Sequence, residues 1–150
     1  LLMDLLYHAP EGRGIRPRRD SRFFHENTLF LDMQYKDFHE LSIWRDGYDI
    51  LMKIYSMSEA FPSEERFALT SQLRRSANSI IANIAESHGR YAYKDKVRVL
   101  YIARGEIVET RSHLAVAFGR TYIDNIMFKE LNSIYVTLTI DLNKYIKSLS

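Results

Sequence analysis

The chain has 150 residues, 46% of them hydrophobic, with a formal net charge of +2 and no cysteine. This length predicts one domain with its own core, and the lack of cysteine excludes disulfides, thiolate metal sites and cysteine nucleophiles. No apolar run approaches the roughly 20 residues of a membrane helix, and the first residues lack the pattern of a signal peptide. We therefore expect a cytoplasmic protein that does not enter the membrane.

The first 34 residues differ in composition from the rest of the chain. They include PEGRGIRPRRDSR, which combines proline, glycine and arginine without a helical or strand period. This pattern predicts a flexible or non-native extension, poorly ordered, with an arginine-rich RNA-binding arm as the alternative. The periodic pattern starts close to Met33, so we assign residues 35–150 to the folded domain.

Four amphipathic segments follow, each with apolar residues at spacings of three and four. The first runs from about Leu41 to Met57. The second follows Ser63, a predicted N-cap with two glutamates after it at the positive helix start, and Gly89 is placed to end it.

The third segment extends from about Tyr93 to Phe118, and the fourth follows Asp124, a predicted N-cap. A buried strand at VRVLYI is excluded because the helical period continues to Phe118. The predicted buried stripe of the third helix consists of Val97, Leu100, Tyr101, Val108, Ala115 and Phe118. Four long helices with short connections predict an all-α, antiparallel up-and-down four-helix bundle.

The charges are unevenly distributed along these helices. Residues 74–104 carry seven basic and two acidic side chains, whereas residues 33–73 carry four and seven, and residues 105–150 carry five of each. A basic segment attracts polyanions such as nucleic acids, but a solvated helix face gives the same count. Both interpretations stay open at this point.

The second helix has an unusual outer face. On a helical wheel, small or hydrogen-bonding residues lie away from its apolar side; they are Ser71, Asn78, Ala82 and Ala85. Small side chains let another helix approach closely, which favours a subunit interface, with an ordinary exposed face as the alternative.

Two arginines, Arg104 and Arg111, fall on the predicted apolar stripe of the third helix. A buried guanidinium requires a carboxylate and further acceptors. We expect structural ion pairs here, with Glu86 as the first candidate partner of Arg104 and Glu109 as the second. The alternative is that both arginines extend along the edge of the stripe and reach water.

No catalytic or metal-binding constellation is recognisable. The histidines, which are His8, His25, His39, His88 and His113, never recur at four-residue spacing, and the Glu-x-x-His pairs of di-iron bundles are missing. Neither a phosphate loop nor a nucleophile elbow occurs. We therefore expect no enzyme activity, no metal and no other cofactor, and an enzyme with an unrecognised site is the third-ranked interpretation.

The strongest binding pattern is RYAYKDKVR, residues 90–98. It interleaves basic and aromatic residues, namely Arg90, Tyr91, Tyr93, Lys94, Lys96 and Arg98. Basic groups pair with phosphates while tyrosine rings stack on unpaired bases. The alternative is an ordinary turn whose tyrosines pack on the end of the bundle. Together with Arg74 and Arg75, these six residues form the predicted nucleic-acid-binding set.

Several motifs occur in one order: Phe-Pro ahead of the second helix, then LTSQLRR, NIAE, GR and LYIARGEIVET. Over roughly residues 35–148, this combination resembles the four-helix-bundle family of proteins encoded in intervening sequences of bacterial 23S ribosomal RNA genes. That family is similar in fold to the accessory protein of diversity-generating retroelements, a basic bundle that forms a pentameric barrel and engages nucleic acid and a reverse transcriptase.

The resemblance implies an all-helical, ring-forming, non-enzymatic protein, a homopentamer. The motif positions carried over are Arg74, Arg75, Asn83, Glu86, Arg90, Tyr101, Arg104 and Glu109. The chain departs from the family pattern at Ser87, Ala92, Lys96 and Glu106, and Lys96 makes the turn more basic. Our leading hypothesis is an oligomer that binds RNA or other nucleic acid through residues 74–104; the alternative is a scaffold that binds a protein partner without nucleic acid.

Overall fold

The computed structural model describes residues 37–149; the predicted N-terminal extension, with His8 and His25, lies outside them. All regular structure in the described part is helical. The four helices are α1 (Ser42–Ser58), α2 (Leu69–Gly89), α3 (Tyr93–Gly119) and α4 (Asn125–Ser148). Two short 3₁₀ helices, Phe38–Glu40 and Ser63–Glu65, precede α1 and α2.

Each helix packs against the next along the chain, and α4 packs back against α1. The predicted four-helix bundle is confirmed. Its core consists mainly of aliphatic side chains from all four helices, including Ile43, Ile50, Ile54, Leu73, Ile80, Ile84, Leu100, Ile107, Leu114, Leu131, Leu138 and Leu142. Among residues 37–149, none of the helices combines the length and apolar character that spanning a membrane requires.

A glycine allows α1 and α2 to approach closely. Gly47 is buried in α1, and a Cβ atom at this position would lie 2.7 Å from Cγ2 of Ile81 on α2. Such a separation is well inside van der Waals contact, so a larger residue would push the two helices apart. The absence of a side chain at Gly47 therefore allows the Ile81 side chain to pack closely against the backbone of α1.

The start of α2 differs from the prediction. Ser63 begins a short 3₁₀ helix, and α2 itself starts at Leu69. Phe61 is buried beside Tyr122, with ring centroids 5.4 Å apart. This contact fixes the position of the chain at Phe61, so that α2 begins only several residues later. Glu65 still serves the helix start, since its Oε2 accepts a hydrogen bond from the Leu69 amide at 3.1 Å.

The buried face of α3 also differs from the predicted stripe. The buried residues are Val99, Leu100, Ala103, Ile107, Thr110, Leu114 and Ala117. By contrast Tyr101, Val108 and Phe118 are 48%, 59% and 38% exposed. The prediction was misled because α3 carries large apolar residues outside the core, while alanines occupy part of the tightly packed face.

The connection from α3 to α4 uses an uncommon backbone conformation. Thr121 has a φ of 61°. The Thr121 amide donates to the Phe118 carbonyl and the Tyr122 amide donates to the Ala117 carbonyl, both at 2.9 Å, which is the Schellman pattern of helix ends. Asp124 then caps α4 as predicted, because its Oδ1 accepts a hydrogen bond from the Met127 amide at 2.7 Å.

Candidate nucleic-acid interface

The interleaved basic and aromatic side chains occupy the connection between α2 and α3 and the first turns of α3, and all but the half-buried Lys96 are exposed. We call this set, which comprises Arg90, Tyr91, Tyr93, Lys94, Lys96 and Arg98, the turn surface. The Tyr91 side chain is fully exposed and Tyr93 is 42% exposed. An aromatic ring without packing is available to stack on a ligand. The alternative that both tyrosines pack on the end of the bundle does not describe Tyr91.

Most of the positive charge on the turn surface is uncompensated. Arg90 pairs with Glu86 one helical turn earlier, and the hydrogen bond and charge of Glu86 raise the pKa of Arg90. Lys94, Lys96 and Arg98 form no ion pair with any residue in the described range 37–149. Asp95 adds one negative charge in the first turn of α3. The surface therefore retains net positive charge.

The first of the two adjacent arginines, Arg74, joins α2 to the end of α1. Its Nε donates to Ser58 Oγ at 2.7 Å and its Nη2 donates to the Tyr55 carbonyl at 3.3 Å. The guanidinium also lies over the Tyr55 ring, 5.0 Å from the centroid. Because the carboxyl end of a helix is electronegative, Arg74 stabilises the last turn of α1.

Its neighbour Arg75 points to α3 instead. Arg75 pairs with Glu109, and its Nε donates to Gln72 Oε1 at 3.1 Å. His113 lies beside the same carboxylate, with Nε2 at 3.5 Å from Glu109 Oε1. The structure thus separates the predicted nucleic-acid-binding set into the turn surface and two arginines with intramolecular partners near the start of α2.

The expected partners of Arg104 and Arg111 differ from those in the structure. Glu86 pairs with Arg90 and Glu109 pairs with Arg75, so neither carboxylate contacts Arg104. Arg104 is exposed, donates to Asn143 Oδ1 at 3.3 Å and lies over the Tyr101 ring.

Arg111 is half-buried and donates to Asn132 Oδ1 at 2.8 Å. Both arginines therefore bind amide oxygens of α4 from the edge of the helix contact. Neither is in the core, because the true buried face of α3 is rotated away from them.

A cleft at the start of α2 contains residues that the sequence analysis did not select. It has a volume of about 470 Å³, and its lining residues are Tyr55, Arg66, Phe67, Thr70, Ser71, Arg74, Arg75 and Asn78. We call it the arginine cleft. Arg66 lies over the exposed Phe67 ring, 5.3 Å from the centroid. The adjacent pair Arg66-Phe67 combines a cation and an aromatic ring, but the N-cap of α2 was predicted at Ser63, five residues before the observed Ala68, which placed this pair inside the helix.

The opposite charge collects elsewhere. A cleft of about 430 Å³ between α1 and α4 is lined by Asp46, Asp49 and Asp141 together with Lys53. Three carboxylates repel phosphates, so this face is unsuited to nucleic acid. Within residues 37–149, no group of three histidine, aspartate or glutamate side chains is arranged to hold a metal ion.

Comparisons with other proteins agree with this architecture. A family model described as 23S rRNA-intervening sequence protein matches residues 39–144. The fold is similar to the crystal structure of a protein of unknown function from the S23 ribosomal protein family of Bacteroides thetaiotaomicron. The identity is 24% and the TM-score 0.65, over 70% of this chain and 98% of that chain. A search of curated proteins gives no significant match.

Proposed function

Because this chain belongs to the family of 23S rRNA-intervening sequence proteins, we propose that it is a non-enzymatic, oligomeric, cytoplasmic four-helix bundle that binds RNA through the turn surface. One observation carries the proposal: the turn surface combines the fully exposed Tyr91 ring with three basic side chains, Lys94, Lys96 and Arg98, that form no ion pair within residues 37–149. Single-stranded loops of RNA are bound by this combination of stacking and phosphate contacts.

The position of the turn surface supports this role. It lies at the connection between α2 and α3 and in the first turns of α3, where Arg90, Tyr91 and Lys94 are exposed and can be reached by an RNA loop. The acidic cleft lies between α1 and α4, so a polyanion is favoured on the side of α2 and α3, which includes the turn surface. A single turn offers few phosphate contacts, so affinity depends on several copies acting together.

An outer face on α3 supports self-association. Tyr101 and Val108 are exposed and seven residues apart, with the exposed Ala115 a further seven residues on. This spacing aligns apolar groups along one side of a helix, as in helix pairs that pack together. On the outer face of α2, the small exposed Ala82 lies outside the cleft at the start of this helix and lets a second copy approach closely. We propose a homo-oligomer, with five copies as the family resemblance implies.

The test is an anisotropy titration of a labelled stem-loop RNA with the full chain at about 50 and about 200 mM salt. The variant Lys94→Gln/Arg98→Gln removes two positive charges from the turn surface. Its matched control, Arg45→Gln/Lys129→Gln, removes two exposed positive charges from α1 and α4. We expect the turn variant to bind at least tenfold more weakly and with a shallower salt slope, by about two.

We expect the control to stay within about threefold of the unmodified chain. Equal losses in both double variants would mean a diffuse charge effect and would contradict a site at the turn. Absence of RNA binding at 50 mM salt would also reject the proposal.

The second candidate function is a scaffold that binds a protein partner. It is favoured by exposed apolar side chains at the start and middle of α4, where Ile126 is 78% and Ile140 is 50% exposed. A partner that binds such a surface would be retained at high salt, whereas an RNA contact through phosphates weakens steeply.

A further inference from the structure

Thr70, in the first turn of α2, has a buried hydroxyl group without a hydrogen-bond partner among residues 37–149. The residue is 7% exposed, and its Oγ1 forms no hydrogen bond with any described residue. By comparison, Thr137 and Thr139 lie in the middle of another helix, α4, and their hydroxyls donate to the carbonyls four residues before them. The residue four positions before Thr70 is Arg66, which precedes the helix, so Thr70 cannot donate to a carbonyl of its own helix in this way. Buried hydroxyls normally have partners, so this one is available to a ligand.

The main-chain groups next to Thr70 also favour an anion. Glu65 accepts the hydrogen bond of the Leu69 amide, but Thr70 and Ser71 are the next residues of the first turn, where helix amides have no acceptor within the helix. The amino end of a 21-residue helix carries partial positive charge. Amides and dipole together form a favourable site for a phosphate.

Three arginines, Arg66, Arg74 and Arg75, line the arginine cleft, and no carboxylate is among its lining residues. The Glu65 carboxylate caps the Leu69 amide beside the cleft and Arg75 is paired with Glu109, so Arg66 and Arg74 supply the positive charge for an anion. Ser58 and the Tyr55 carbonyl hold Arg74 in place, so its remaining donors are already oriented before a ligand arrives. Glu59 lines an adjoining cavity, and its negative charge weakens the binding of an anion in the arginine cleft. We therefore expect a modest affinity for a small ligand.

From this geometry we infer that the arginine cleft binds a nucleotide through its phosphate group. The Thr70 hydroxyl, the amides of Thr70 and Ser71, and Arg66 form the phosphate contacts. The exposed ring of Phe67 stacks on the base. The ligand is a free nucleotide or the phosphorylated end of an RNA strand, which share this chemistry.

The proposal stands on a different part of α2 from the turn surface. The helix separates Thr70 from Arg90 by about 30 Å at 1.5 Å per residue. A variant that loses RNA binding at the turn therefore keeps the nucleotide site, and the converse also holds. Failure of one proposal is distinguishable from failure of the other.

The experiment is an NMR titration of the full chain with adenosine monophosphate at about 50 mM salt, followed at the amide signals of Thr70 and Ser71. Thr70→Val keeps the shape of the side chain and removes the hydroxyl. Thr137→Val is the matched control, since that hydroxyl serves its own helix. We expect saturable shifts at both amides, binding at least fivefold weaker in Thr70→Val, and a change below twofold in Thr137→Val.

Further ligands and variants separate the phosphate from the base. Inorganic phosphate shifts the same amides but binds at least fivefold more weakly than the nucleotide, because it lacks the stacked ring. Phe67→Ala removes that difference, whereas Arg66→Gln weakens both ligands. The variant Lys94→Gln/Arg98→Gln binds the nucleotide as the unmodified chain does.

Two results would overturn the inference. One is that neither amide responds to either ligand up to about 20 mM. The other is that Thr70→Val and Arg66→Gln both bind the nucleotide as tightly as the unmodified chain. If the inference holds, titrations with an RNA that carries a 5′ phosphate and with the same RNA without it distinguish a phosphorylated RNA end from a free nucleotide as the ligand.

Discussion

Thr110 on α3 donates a hydrogen bond to Ser76 on α2 over 2.9 Å, and neither residue has any solvent-exposed surface. Ser76 in turn donates to the Leu73 carbonyl at 3.2 Å. Thr110 Oγ1 also lies 2.8 Å from the Glu106 carbonyl, so each hydroxyl has an acceptor in its own helix, and only the observed register adds the bond between the two helices. This pair therefore favours one register of α2 against α3.

The first prediction concerns that pair. Ser76→Ala and Thr110→Val are each expected to lower the free energy of unfolding by about 1–2 kcal/mol, since each removes one side of a buried hydrogen bond. The double variant should lose about 0.5–1.5 kcal/mol less than the sum of the two. Urea unfolding of the four proteins measures the coupling, and strict additivity would show that the hydroxyls act independently.

The second prediction compares two helix glycines. Gly47→Ala should destabilise the protein by about 1–2 kcal/mol, because the strain against Ile81 exceeds the gain in helix propensity. Gly105→Ala, in the middle of α3 with no atom within 4 Å of a new Cβ, should stabilise it by about 0.5–1 kcal/mol. Thermal melts at one protein concentration compare them, and a stabilising Gly47→Ala would contradict the close α1–α2 contact.

The third prediction concerns alkaline pH. Burial raises the pKa of Tyr135 above its ordinary value of 10.0. The unfolded chain then releases this proton first, so the stabilisation is complete below about pH 10 and is lost as the pH rises from there toward the folded pKa. In urea unfolding between pH 9 and 11, Tyr135→Phe should lose less stability with pH than the unmodified chain.

A graded comparison is available for that experiment. Burial also raises the pKa of Tyr145, which is only half-buried. Tyr145→Phe should therefore change the slope in the same direction by a smaller amount. If Tyr135→Phe leaves the slope as it was, the phenol of Tyr135 does not resist ionisation in the folded state.

The fourth prediction contrasts two charged residues. Arg74→Ala should cost about 1–3 kcal/mol, because it removes charged hydrogen bonds to the buried Ser58 and to the end of α1. Glu86→Ala should change stability by less than about 0.5 kcal/mol, since its ion pair with Arg90 is exposed and lies within one helix. Calorimetric melting distinguishes the two variants. A large loss of stability in Glu86→Ala would mean that Glu86 has a structural partner other than Arg90.

The fifth prediction concerns the end of α3. Thr121 is β-branched yet has a positive φ, a conformation that costs roughly 1–2 kcal/mol for residues other than glycine. Thr121→Gly should therefore raise the free energy of unfolding by about 1 kcal/mol. Its hydroxyl contacts only the exposed Arg120 carbonyl, so little is lost. Denaturant unfolding measures the gain, and a destabilised variant would mean that the side chain has a further role.

The helices themselves were predictable because their signals are local. Apolar spacing marked all four, and Asp124 capped α4 as its residue type predicts. The signal for the start of α2 is not local, since it depends on the packing of Phe61 against Tyr122, which lies in the connection between α3 and α4. Prediction therefore failed where a contact between remote residues decided the boundary.

The candidate site followed the same division. The turn surface was visible in RYAYKDKVR because its basic and aromatic residues are adjacent in the sequence, at the connection and in the first turns of α3. The face of α3 was ambiguous, since the exposed Val108 is a β-branched aliphatic residue like the buried Ile107. Thr70 was invisible as a site because its unpartnered hydroxyl results from where the helix starts, which spacing alone placed wrongly.

Helix α2 runs without interruption from the arginine cleft to the turn surface. At 1.5 Å per residue, it holds the two about 30 Å apart. If both proposals hold, one RNA strand that contacts the two places on the same copy of the protein must span at least this distance. The number of residues in this one helix thus fixes the spacing between the two proposed sites.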